Sequence, residues 1–145
     1  MAYNSNVQNI DNFVKAKTYT GNGSTQSITG VGFQPDWVWL KRRDASASHE
    51  LHDAVRGATK RLKSDGTNAE FTDTDTLTSF DSDGFSIGSG SQINTNSATQ
   101  VAWNWKANGA GSSNTDGSIT STVSASTTSG FSIVKYTGTG SNASI

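Results

Sequence analysis

Small and apolar positions alternate through Val14, Ala16 and Thr18, stop at Gly21-Asn22-Gly23, and resume from Gln26 to Ile28. A period of two marks a strand with one face buried, and Gly-Asn-Gly marks a turn, so this stretch predicts a β-hairpin. Gly30 to Pro35 reads as a further turn region, and Pro35, which cannot sit inside a ladder, opens a strand from Asp36 to Lys41. In that strand Trp37, Val38, Trp39 and Leu40 put bulky apolar groups on both faces. A sandwich strand normally wets one face. A second layer or another subunit is therefore expected to cover this one, or it offers an apolar binding surface. Val101, Trp103 and Trp105 instead share one face, with Ala102, Asn104 and Lys106 on the other, which predicts a half-buried strand with its tryptophans in the core.

The rest of the chain is less regular. From Ser48 to Ser64, Leu51, Val55, Ala58 and Leu62 recur at helical spacing, but Gly57 interrupts the run and Val55 and Thr59 are β-branched. Two short strands around Arg56-Gly57 are preferred over a helix, in keeping with the rest of the chain. Asp81 to Gly84, flanked by Phe80 and Phe85, is a hairpin turn, and a Gly-rich loop follows. Between Ala107 and Gly130, Ile119, Ser121 and Val123 alternate in a Thr-rich segment that predicts a thinly packed edge strand, before Gly130 turns into Phe131-Ser-Ile133-Val134.

Composition strengthens the strand reading. Of 145 residues, 68 are Ser, Thr, Asn or Gly, residue types that suit turns and strand faces, while Leu and Met are scarce. The expected fold class is all-β, an antiparallel β-sandwich of jelly-roll or concanavalin-like kind, with a short N-terminal arm. The net charge of −1 gives no basic footprint for nucleic acid or a membrane surface, and no apolar run is long enough for a membrane span. Charge is unevenly placed: Lys41 to Lys63 holds seven basic and three acidic residues, and Asp65 to Asp83 holds six acidic and no basic ones. These read as two solvated faces that attract each other. The absence of Cys removes thiol chemistry and fits assembly in a reducing cytoplasm.

Tyr136 to Ile145 aligns without gaps on Tyr19 to Ile28 at an offset of 117, with seven of ten residues identical. Such a repeat signals a modular array. The expected organisation is therefore an arm over residues 1–13, a sandwich over 14–135, and the start of a second, truncated repeat unit over 136–145.

Candidate chemistry is sparse. His49 and His52 stand three apart beside Glu50 and Asp53, but no further His exists to complete a zinc site, and on a strand the two would face opposite ways. Asp73-Thr-Asp75 and Asp81-Ser-Asp83-Gly84 resemble pieces of a calcium loop without its downstream Glu, and read better as turn formers. No nucleophile elbow or phosphate loop is present. Neither a catalytic residue, a metal site nor a cofactor is expected. An enzyme, for instance a capsule depolymerase, would need clustered carboxylates, with Glu70, Asp73 and Asp75 the candidates. Aromatic faces that stack on sugars or anchor interfaces are the stronger signal, and Trp37 and Trp39 are the candidates for ligand binding or subunit contact.

Several blocks stand in a specific order. They are Tyr19 to Lys41, Val55-Arg-Gly-Ala-Thr-Lys60, Ser79 to Gly88, Val101-Ala-Trp-Asn-Trp-Lys-Ala107, and Ser113 to Ser121. Together they resemble a domain found in virion structural proteins of tailed bacteriophages, often in tail fibres, with a concanavalin-like or laminin-G-like β-sandwich. The resemblance implies a non-enzymatic virion component, assembled in the host cytoplasm. It would be a homotrimer, the N-terminal part of a tail fibre that joins the fibre to tail or capsid proteins and supports recognition of host-surface glycans. The alternatives are a carbohydrate-binding module and a capsid-attached decoration or fibre protein. On this reading the N-terminal arm docks onto the particle, with Val7, Ile10 and Phe13 as docking candidates.

Overall fold

The computed structural model describes residues 9–145, and Val7 lies outside them. After a short 3₁₀ turn at Ile10–Asn12 come twelve strands: β1 (Val14–Thr20), β2 (Gln26–Thr29), β3 (Trp37–Arg42), β4 (Glu50–Asp53), β5 (Lys60–Arg61), β6 (Phe71–Thr72), β7 (Leu77–Asp81), β8 (Gly84–Ile87), β9 (Thr99–Trp105), β10 (Ser112–Asn114), β11 (Ser121–Ser126) and β12 (Phe131–Tyr136). One helical turn, α1 (Ser91–Asn94), precedes β9. Every strand pairing among the described residues is antiparallel. The fold is all-β, as its composition predicts.

Four sheets form, ordered β1-β9-β3-β4, β2-β8-β7, β10-β11-β12 and β5-β6. The first two pack face to face. Val38, Leu40 and Ala102 from the first meet Ile28, Leu77, Phe85 and Ile87 from the second, with Ile93 of α1 closing the cluster. Phe85, Leu40, Leu77 and Val38 are wholly excluded from solvent. Burying a side chain of this size contributes about 1.5–3 kcal/mol, so this layer is the main source of stability.

The 14–28 segment differs from its expected hairpin. β1 pairs with β9 and β2 with β8, so the chain crosses from one sheet to the other at Gly21–Thr25. The crossing is fixed from outside the turn. Asn94 accepts from the Asn22 backbone N–H at 2.9 Å through Oδ1, and donates through Nδ2 to Gly88 O at 2.7 Å and to Ser24 O. Alternation had identified both strands, but their partners lie more than fifty residues away in sequence. The 107–130 segment also differs, since β11 is the middle strand of its sheet and the edges are β10 and β12.

Ser48 to Ser64 resolves into β4, a turn at Gly57 with φ of +106°, and β5. β7 and β8 form the expected hairpin, with Asp81 opposite Gly84. Gly84 has φ of +144°, and a side-chain carbon there would run into the Ile28 carbonyl, so glycine is required where β8 closes on β2.

Candidate interaction surface

The register of the first sheet sets which side chains share a face. On its inner face Lys15, Asn104, Val38 and His52 form one row, Lys17, Ala102, Leu40 and Glu50 the next, and Tyr19, Gln100 and Arg42 a third. Gln100, Ala102, Asn104, Glu50 and His52 are all fully buried here. The opposite face carries Val14, Trp105, Trp37 and Asp53 in one row and Ala16, Trp103, Trp39 and Leu51 in the next. All four tryptophans of the chain therefore lie together on the face turned away from the core.

This corrects the expectation for Trp103 and Trp105. Their strand is half-buried, but its buried face is Gln100, Ala102 and Asn104, and the two indoles are only partly covered. Hydrophobicity alone pointed the wrong way because alternation divides a strand into two faces without saying which is enclosed. Asn104 donates to Lys15 O at 2.9 Å, so its amide is used inside the sheet.

The indoles form a continuous cluster. Trp37 and Trp105, paired across β3 and β9, have ring centroids 4.5 Å apart at 64°, and Trp39 and Trp103 are 5.6 Å apart at 57°. Trp37 and Trp39 are 6.1 Å apart, edge to face. Edge-on and tilted contacts of this kind suit the aromatic quadrupole. From the third sheet Phe131 approaches Trp37 and Trp105 at 6.4 and 6.3 Å. At the other end His49, just before β4, packs on Trp39 at 5.5 Å and accepts its indole N–H through Nδ1 at 2.8 Å. Each of the four indoles remains half-buried, and Ala16 beside Trp103 is small and exposed. A second layer thus covers one end of the tryptophan strand and leaves the other open.

β4 carries ion-paired carboxylates on both of its faces. Asp53 and Glu70 both bind Arg56, and Arg61 bridges Glu50 and Asp73 at 2.7 and 3.0 Å. The basic and acidic segments therefore meet as specific ion pairs. Of the three carboxylates considered for hydrolysis, Glu70 and Asp73 are each held by an arginine. Asp73 also accepts the Asp75 N–H in a turn, as expected for a turn former.

The two candidates at the N-terminal end lie apart from the indoles. Ile10 is 63% exposed on the 3₁₀ turn. Phe13 is half-buried, receives the Lys106 N–H on its carbonyl at 2.8 Å, and lines a cleft of about 490 Å³ with Phe33, Lys106 and Thr128. The structure brings Trp37 and Trp39 together and adds Trp103, Trp105, Phe131 and His49 to them. The two-residue spacing of the tryptophans within β3 and β9 was visible in the sequence, but the pairing of those two strands was not.

A family model described as a domain of unknown function, DUF7483, matches residues 10–145. The chain belongs to this family. No curated protein and no solved structure matches it. The DUF7483 match takes in the tryptophan face, both inner sheets and the segment that repeats Tyr19 to Ile28.

Proposed function

We propose that this DUF7483 chain is a structural module of a tailed-phage virion, the N-terminal part of a tail fibre in which three identical subunits pack through the tryptophan face. The order of the sequence blocks supports the phage assignment and the concanavalin-like form of the sandwich. The observation that carries the assembly role is the cluster of four half-buried indoles on the sheet face opposite the core. Large aromatic groups left half in water gain most from burial against a partner, and aromatic residues are enriched where interfaces are anchored. Residues 1–13 serve in this reading as the arm that meets the tail or capsid.

Light scattering on the whole chain, with and without residues 1–12, tests the assembly. A trimer that survives truncation, and that falls apart in Trp39→Ser or Trp103→Ser, is the expected result. A monomer in the untruncated chain overturns it.

One observation favours a second reading. Trp103 faces the small, exposed Ala16, so this indole is not roofed by its neighbour on β1. A pyranose ring could stack there by its apolar face, making the module a weak carbohydrate binder. Binding on a glycan array that is lost in Trp103→Ser, together with a monomeric mass, would select this reading over the first.

A further inference from the structure

β4 carries a buried acid and a buried base side by side. Glu50 and His52 are both wholly excluded from solvent, and Glu50 Oε2 lies 3.5 Å from His52 Nε2. Among the described residues neither of these two atoms has another hydrogen-bond partner. The other ring nitrogen settles the tautomer. His52 Nδ1 is 2.9 Å from the carbonyl of Ala58, and a carbonyl only accepts, so Nδ1 carries a hydrogen. A neutral ring would then present a bare Nε2 to a bare carboxylate oxygen, lone pair against lone pair, in a site shielded from water.

The surrounding charges point the same way. Glu50 Oε1 accepts from Arg61 of β5 at 2.7 Å, and the same guanidinium nitrogen reaches Asp73, after β6, at 3.0 Å. The Arg61 guanidinium also sits 4.1 Å above the Phe71 ring of β6. From β1, Tyr19 donates its hydroxyl to Ile93 O, and burial first, then the charge of Glu50, push its phenol well above its ordinary range, so it stays neutral. Lys17 of β1, in the Glu50 row, has its ammonium group against Gly30 instead. Two carboxylates and one guanidinium leave this cluster one negative charge in excess. One more proton balances it and supplies the missing donor between Oε2 and Nε2.

We propose that the folded chain holds one proton between Glu50 and His52, and that this proton completes the hydrogen-bonded link that runs from β4 through Arg61 to the 54–73 segment. That segment is also tied to β4 by the Leu51–Leu62 bridge.

The test is nitrogen and carboxyl-carbon NMR on the isotopically labelled whole chain at pH 7.5. The chain has two histidines, and His49→Gln assigns their signals by removal. For His49, whose Nδ1 accepts from Trp39, a bare Nδ1 is expected. For the pair, a proton on His52 Nε2 or on the Glu50 carboxyl supports the proposal. An ionised Glu50 carboxylate facing a bare Nε2 overturns it.

Discussion

Trp39 donates its indole N–H to Nδ1 of His49 across 2.8 Å, which ties the open end of the tryptophan face to the loop before β4. An imidazole that accepts at Nδ1 must be neutral, carrying its hydrogen on Nε2. Removing this acceptor therefore frees an indole that is already half in water. Tryptophan emission of His49→Ala is expected to differ from that of the natural chain. Because the freed N–H can bind water, the stability cost should stay below about 1 kcal/mol by urea unfolding.

Asn94 offers a contrast, since its side chain is fully buried and binds Asn22 and Ser24 of the crossing between sheets and the Gly88 carbonyl after β8. Asn94→Ala strands the Gly88 carbonyl and the Asn22 N–H without partners. The expected cost is about 3 kcal/mol, measured by chemical denaturation, with faster amide exchange at residues 21–25.

Phe85 is wholly buried between the two inner sheets and meets the Tyr19 ring edge-on at 6.4 Å. Phe85→Ala should destabilise the chain by about 3–5 kcal/mol, whereas Ile87→Val, which removes one methylene from the same layer, should cost about 0.5–1.5 kcal/mol. Equal losses in the two variants would contradict the packing described.

Asp83 sits in the β7–β8 turn and accepts the Gly30 N–H at 3.0 Å and the Gly32 N–H at 2.6 Å. These two backbone donors, helped by Lys15 and Lys17, hold its carboxyl below the usual carboxylate range. A depressed folded value means stability that is present above the ordinary aspartate range and lost as pH falls through the lowered one. Asp83→Asn should therefore be less stable than the natural chain at pH 7, and urea unfolding should show that gap closing in acid.

Parts of this architecture were legible because they are local. The Asp81 to Gly84 turn, the strand after Pro35 and the break at Gly57 depend on backbone preferences within a few residues. The pairing of the basic and acidic segments was legible as charge, though not as the Arg56–Glu70 and Arg61–Asp73 contacts. His52 is fully enclosed beside Glu50. The Arg61 and Asp73 groups linked to Glu50 come from strands and loops that only the fold brings near.

By itself the sequence determined the strand class, most strand positions and the two-sided character of Trp37 to Leu40, because alternation, glycine and proline act over a few residues. The tertiary structure decided which strands pair, which face of β9 turns inward and what completes the tryptophan surface. Side-chain alternation divides a strand into two faces without saying which is buried. That choice depends on which layers pack against the sheet, and here the face with Ala102, Asn104 and Gln100 is enclosed while four indoles lie on the other side.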